Sequence, residues 1–329
     1  MHAVADTSTL GLRSCGVWTR ADALAVLSRG QVDTRVSSRT WQVPWRGVYA
    51  DAGHELDAEQ RAWAAVLAAG GAVADRSGPR LRAVAFGRTA ARVWGLTLVD
   101  DRDPATGRAE HLLDEVAVVR RLPSQHWAGR TLRPARTTLS AADLVRLPSG
   151  VWVTSPVRTL VDLAVVLRPD ALVCALDAAL HIRLVTPQDL EVAVRARAGR
   201  AHSLALHAAV RLADGRAESP PETLARLLLQ PAVPGLEPQV ELLDDVGRTV
   251  ARFDLGDRSV RLAVECDGTA AHAGAAMVAK DRRRDRRTEA YGWRTERVTW
   301  FELHRQQPAV LRRIRDVHAA LAAGARQSA

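Results

Sequence analysis

RFDLGDRSVRLAVECDGTAAH at residues 252–272 and, after a short gap, KDRRRDRRTEAYGWRTERVTW at residues 280–300 decide how this chain reads. Two apolar runs here each carry an acid where a plain strand disfavours one: Phe253–Asp254–Leu255, and Leu262 to Gly268 with Glu265 and Asp267 inside it. Strands prefer β-branched and aromatic residues and are depleted in Asp. Carboxylates set among such runs suggest a site that holds a cation, because unpaired buried charge is costly.

The flanking pattern supplies a frame. Ser219–Pro220–Pro221–Glu222 opens a helix running to Gln230. Val240–Leu243 and Val250–Leu255 read as strands about the turn Asp244–Gly247, Gly256–Asp257–Arg258 as the next turn, and Val260–Cys266 as a third strand. A helix is expected from about Ala275 to Tyr291, a strand at Thr295–Val298 and a closing amphipathic helix at Pro308–Leu321. The order is helix, three strands, helix, strand, helix.

That order, with Ser219–Glu222, Phe253–Asp254, Val264–Glu265–Cys266–Asp267–Gly268, His272, Asp281, Arg284–Asp285 and Gly292–Trp293, resembles the PD-(D/E)xK nuclease fold. The branch it resembles is that of the very-short-patch-repair endonuclease. The resemblance implies a restriction-endonuclease-like fold, a central mixed sheet flanked by helices, and phosphodiester hydrolysis with Mg²⁺ or Mn²⁺. A hard cation supplies both an activated water and charge stabilisation, and it prefers oxygen ligands. Asp254 and Glu265 are the expected metal ligands, on neighbouring strands. Asp267, two residues on, shares Glu265's face if the strand is regular. His272 is a candidate proton donor or water-orienting group, and Glu222 a candidate partner to metal-bound water. Each also has a plainer reading. Glu222 is spaced from Ser219 as in a capping box. Asp254 can open a turn, Asp267–Gly268 is a common turn pair, and His272 can be a loop residue. The family pattern asks for Lys two residues after the acid, and Asp267 stands there. The repair-endonuclease branch lacks that Lys too, so Lys280 or an arginine of the following run is expected to supply the charge. In Lys280–Arg287 six basic residues accompany two acidic ones. Lys280, Arg283, Arg284 and Arg287 are candidate phosphate contacts, with Asp281 or Asp285 bracing the helix, and a solvated helix face is the alternative.

At the other end, Thr19 is a fair N-cap with Asp22 as its acidic partner, and Ser28–Arg29–Gly30 is expected to end that first helix. A second helix is expected at roughly Val32–Thr40, placing Arg35 and Arg39 four apart on one face. Trp41 to Ala50 alternates and turns like a small β-wing bearing Arg46. Helix, turn, helix and wing make a winged helix-turn-helix, with Arg35 and Arg39 at the major groove and Arg46 near phosphate. A solvated arginine face or a protein-binding unit is the alternative. The Gly16–Val17–Trp18–Thr19 start and the Trp45–Ala50 wing resemble the N-terminal domain of AbiEi-like antitoxins of type IV toxin–antitoxin systems. The likeness extends more loosely into the middle of the chain, and it implies promoter DNA and a toxin or defence-system partner.

Between these ends, helices are expected at Glu55–Ala69, Val157–Leu167, Asp170–His181 and after Thr186–Pro187, with strands at Leu112–Arg120 and Val151–Thr154. Asp162 and Asp177, on apolar helices, read as caps or ion-pair partners. No catalytic constellation stands out here, and Arg211–Ala217 reads as a polar linker.

The chain has 329 residues, 47% of them hydrophobic and 25% charged, which fits a globular protein of several domains. Its formal charge of +9 comes almost wholly from Arg, which suits bidentate phosphate contact but also follows from codon bias. Three distant cysteines, Cys15, Cys174 and Cys266, argue against a disulfide framework or a cysteine zinc site. No apolar run is long enough to span a bilayer and no signal peptide opens the chain, so a cytoplasmic location is expected. The expected architecture is α/β (α+β) and multidomain: residues 1–54 a winged helix-turn-helix, 55–210 a middle α/β domain and 211–329 the nuclease-like domain. The expected function is a Mg²⁺-dependent DNA endonuclease. The alternative is a non-catalytic DNA-binding regulator or antitoxin with a degenerate nuclease domain, and symmetric DNA sites would favour a homodimer.

Overall fold

A computed structural model describes residues 15–75, 78–102, 113–267 and 285–327. It is a mixed α/β structure with several sheets. Contacts divide the chain into two compact units, Met1–Leu96 with His111–Val166, and Thr97–Glu110 with Leu167–Ala329. These divisions fall elsewhere than the expected boundaries after residues 54 and 210.

The first unit opens with β1 (Val17–Thr19), α1 (Arg20–Leu24), α2 (Arg29–Ser37), β2 (Trp41–Trp45) and β3 (Val48–Asp51). The strands form an antiparallel sheet in the order β1-β3-β2. Thr19 caps α1, its hydroxyl accepting from the Asp22 N–H while the Asp22 carboxylate accepts the Thr19 N–H at 2.9 Å. Ser28 does the same for α2 with Gln31. Ser28 therefore starts the second helix rather than ending the first, because a serine hydroxyl satisfies an otherwise orphaned N–H there. The second helix ends at Ser37, and Arg39 lies beyond its cap at φ +57°. Arg35 and Arg39 thus do not share a helix face.

The period of two along β1 and β3 builds two cores from one small sheet. Trp18 and Tyr49 pack with Trp41, Leu27 and Val32 on the helix side. Val17, Ala50, Val48 and Trp45 pack on the other, against α3 (Ala58–Ala68) and the main sheet of this unit. The N-terminal elements therefore share a continuous core with α3 and that main sheet. A hydrogen bond of 3.0 Å from Trp127 Nε1 to the Val43 carbonyl adds to the join.

After the hairpin β4 (Ala72–Asp75) and β5 (Gly78–Leu81), the main sheet contains β6 (Ala83–Ala85), β7 (Leu113–Val118), β8 (Gln125–Trp127), β9 (Arg130–Ala135), β10 (Leu144–Arg146) and β11 (Trp152–Thr154). Their order is β10-β11-β6-β7-β9-β8, with β7–β9 and β11–β6 parallel. Helices α4 (Gly87–Val93) and α5 (Pro156–Val166) belong to the same unit. The middle stretch carries a buried charge network that the sequence did not announce. Asp114 pairs with Arg92 and Arg130, and Glu115 with Arg88 and Arg133. Burial holds the Asp114 carboxyl above its ordinary value even though Arg130 and Arg92 pull it down.

The second unit runs through α6 (Pro169–His181), α7 (Pro187–Ala196), α8 (Ser203–Leu212) and α9 (Pro220–Leu229) to a four-stranded sheet. Its strands are β12 (Glu237–Leu243), β13 (Thr249–Asp257), β14 (Leu262–Asp267) and β15 (Arg294–Thr299), in that order. The first three are antiparallel and β14–β15 is parallel. Helices α10 (Trp300–Arg305) and α11 (Gln307–Gln327) close the chain. One core joins Leu224 and Leu229 of α9 to Leu255, Val264, Val298 and Ile314, and also to Ala171 and Cys174 of α6. Asp177 in α6 is buried and accepts from Thr223 Oγ1, Arg226 Nη2 and the Asp214 N–H. Arg211 and Leu212 lie in α8 rather than in a linker, and its buried Leu206 and Ala209 give the packing reason.

One detail near the acidic strands also differs from expectation. Gly256 and Asp257 continue β13 instead of forming a turn. A methyl group at Gly256 would lie 2.9 Å from the Val240 Cβ, so the strand needs a glycine for close approach rather than for turning.

Candidate functional site

The acidic residues of the second unit converge. Asp254 on β13 accepts the Cys266 N–H of β14 at 2.7 Å. Glu265 lies on β14 and is buried. Glu222, in the first turn of α9, is buried too. One of its oxygens accepts from the Ser219 hydroxyl at 2.7 Å, and the other from the Glu218 N–H at 2.9 Å and the Gln239 amide at 2.8 Å. The Ser219–Glu222 spacing thus produces a real contact. The proline-led start leaves Ser219 without a capping bond to the helix backbone. Burial first, and then Asp254, Glu222, Glu265 and Asp267, push the Cys266 thiol well above its ordinary range. Four carboxylates from one helix and two strands thus share one neighbourhood.

Arg297 is the residue that sequence reasoning missed. It lies on β15 directly across from Glu265 in the parallel register. Its guanidinium bridges Asp267 at 3.2 Å and Asp285 at 3.0 Å. A parallel strand places a cation among the acids from thirty residues further along the chain, and local spacing cannot show that. The available signal was Arg297 standing beside Val298, the one buried residue of that strand.

His272, Lys280, Arg283 and Arg284, with Asp281, lie outside the described residues. Of the expected helix over 275–291, residues 285–289 are helical in the described part, and Arg287 there is exposed. Among the described residues no group of three or more His, Cys, Asp or Glu is arranged to hold a metal ion. Glu222 has both oxygens engaged, Asp254 accepts a backbone N–H, and Asp267 faces Arg297.

The first unit presents the expected basic residues differently. Arg46 is exposed at the two-residue tip between Trp45 and Val48, where Gly47 takes φ +76°. Such a tip needs left-handed backbone, which glycine adopts without strain. Arg39 is exposed. Arg35 is half-buried, its guanidinium 5.7 Å from the Trp41 ring centroid and its Nη1 3.2 Å from the Gln31 carbonyl. Arg29, Gln31, Asp33, Thr34 and Ser37 are exposed polar residues of α2.

Comparison with known proteins adds a family likeness. Residues 83–212 match the AbiEi antitoxin C-terminal domain. The likeness falls on the middle of the chain, from β6 through α8, where only a loose resemblance was expected, and not on the helix–hairpin segment. It stops before the acidic strands. The chain is also 29% identical over 293 residues, 88% of its own length and 96% of theirs, to uncharacterized proteins from two strains of Mycobacterium tuberculosis, CDC 1551 / Oshkosh and ATCC 25618 / H37Rv. Among the described residues no helix is long and apolar enough to cross a membrane.

Proposed function

We propose that this chain is a DNA-binding regulator of the antitoxin kind, acting with a toxin partner, and that its N-terminal elements form a winged helix. The carrying observation is one chain that joins an antitoxin-domain match at residues 83–212 to a preceding capped helix and an arginine-tipped hairpin. Arg39 and Arg46 contact phosphate, α2 enters the major groove through Arg29, Gln31 and Thr34, and Arg35 supports that surface from Trp41. The test is fluorescence anisotropy on duplex DNA from the chain's own promoter across a salt series. Binding should weaken steeply with salt, and Arg39→Ala with Arg46→Ala should flatten the slope by about two. Unchanged binding in that double variant would refute the assignment.

A second reading rests on the convergence of Glu222, Asp254, Glu265 and Asp267 around Cys266. In it the second unit keeps a nuclease-like fold, with Asp254 and Glu265 as the pair to which Mg²⁺ or Mn²⁺ binds and the exposed Arg287 beside the nucleic acid. Metal-dependent nicking of plasmid, mismatched or branched DNA that is lost in Asp254→Asn supports it. Identical behaviour of wild type and variant removes it.

A further inference from the structure

A crevice of about 670 Å³ opens in the first unit where β6 begins and the parallel strands β7 and β9 end. Its floor is apolar, formed by Val84, Val118, Leu139 and Leu144. Its rim is basic and hydroxylic, with Arg82 on one side and Arg136, Thr137 and Thr138 on the other. A volume of this size lies within the range of small-molecule sites. In open α/β sheets, ligands collect in crevices at the carboxyl ends of the strands.

Three further observations give the crevice a chemistry. Arg82 and Arg136 are both exposed, and neither is paired with a carboxylate among the described residues. The acids on this side, Asp143 and Asp162, are both taken up by Arg158, at 3.3 Å and 2.9 Å. The same Arg158 fixes the hydroxylic wall, donating to Thr137 Oγ1 at 2.6 Å and to the Thr138 carbonyl at 2.8 Å. The main chain at Arg82 is fixed by bonds to Gly71 and Val119 at 3.1 and 3.2 Å. Two exposed guanidinium groups thus stand on backbone-fixed walls above an apolar floor. Arg121 lies in an adjoining depression that shares Arg136, which extends the positive rim.

We propose that this crevice binds a nucleotide, with the phosphate between Arg82 and Arg136 and the base on the floor formed by Val84, Val118, Leu139 and Leu144. Guanidinium forks match phosphate oxygens bidentately. The apolar floor supplies the contact area that phosphate alone does not use. The site is independent of the duplex-binding surface proposed above.

Calorimetric titration of the full chain tests the assignment, using the mono- and triphosphates of the common ribonucleosides, adenosine and inorganic phosphate. At least one nucleotide binds with one site per chain, and adenosine and inorganic phosphate each bind at least about tenfold more weakly. Arg82→Gln with Arg136→Gln, both exposed and therefore compatible with folding, lowers nucleotide affinity at least about tenfold. Leu139→Trp fills the crevice and abolishes binding. Duplex anisotropy is unchanged in both variants, which separates this proposal from the promoter-binding one. No nucleotide binding at millimolar concentration, or unchanged affinity in the double glutamine variant, overturns the proposal. A single-stranded oligonucleotide that displaces the nucleotide and binds tighter through the same arginines overturns it in favour of a strand-binding groove.

Discussion

The guanidinium of Arg130 lies over the Trp45 ring, 5.3 Å from its centroid, while its Nη2 pairs with buried Asp114. One side chain therefore joins the N-terminal hairpin, just before its tip, to the charge network of the main sheet. Arg46, at the hairpin tip, is the next residue along. Arg130→Met keeps the bulk but leaves Asp114 with Arg92 and Thr89. Removing one partner of a buried pair is expected to cost about 3 kcal/mol in urea unfolding. Adding Asp114→Asn should recover part of that loss, because the two residues act as a unit. Strict additivity of the two substitutions would show that they are not coupled.

Asp177 is a second such centre, with three donors from Asp214, Thr223 and Arg226. Asp177→Ala leaves Arg226, itself buried, without its carboxylate. The expected loss is about 4 kcal/mol. Hydrogen exchange should place the opening in α6 and α9 together, since both contribute to one core.

Asp257 makes stability depend on acid. Burial alone would raise its carboxyl, but the Ser259 hydroxyl, His318 and the Ser259 N–H outweigh that and hold it below its ordinary value. His318 Nε2 lies 3.0 Å from it. A depressed carboxyl stabilises the folded state above the unfolded pKa of about 4, and that stability is lost as pH falls through the folded value. Wild type should exceed Asp257→Asn by about 1–2 kcal/mol at neutral pH. The gap should close below the ordinary carboxylate range. A gap that persists in acid would assign the effect to packing rather than charge.

Gly256 tests close approach without charge. Gly256→Ala forces its methyl group against Val240 at 2.9 Å. The expected loss is about 2 kcal/mol. Val240→Ala in the same chain should relieve part of it.

Arg297 bears on the second functional reading. It occupies the acidic cluster as a fixed cation between Asp267 and Asp285. If the cluster takes a divalent ion, Arg297→Met should raise Mn²⁺ affinity by at least about tenfold in an electron paramagnetic resonance titration, because like charges no longer compete. Asp254→Asn should abolish that gain. No Mn²⁺ binding in either protein would leave the cluster as a hydrogen-bonded structural feature.

Local signals carried most elements of this fold. The capping pair Thr19–Asp22 forms as its spacing indicates, because a cap is a contact within one turn. The proline-led helix starts at Pro156 and Pro187, the strands around Asp254 and Glu265, and the ion pair of Asp162 with Arg158 four residues before it were legible for the same local reason, whereas the partner of Asp177 stands on another helix. Sequence periodicity also placed Glu222, Asp254 and Glu265 on the elements that carry them. Tertiary structure alone decided what surrounds those acids. Arg297 reaches Asp267 because β15 runs parallel to β14, a register set by pairing between distant segments. Asp114 and Glu115 looked ordinary in the sequence and became a buried network because arginines from α4 and β9 close over them. Arg39 left the recognition surface expected of it because α2 ends two residues earlier, at a cap that no spacing marked. Spacing along the chain determines which residues share a turn or a strand. Only packing determines which charges meet across elements, and those meetings decide what the site can hold.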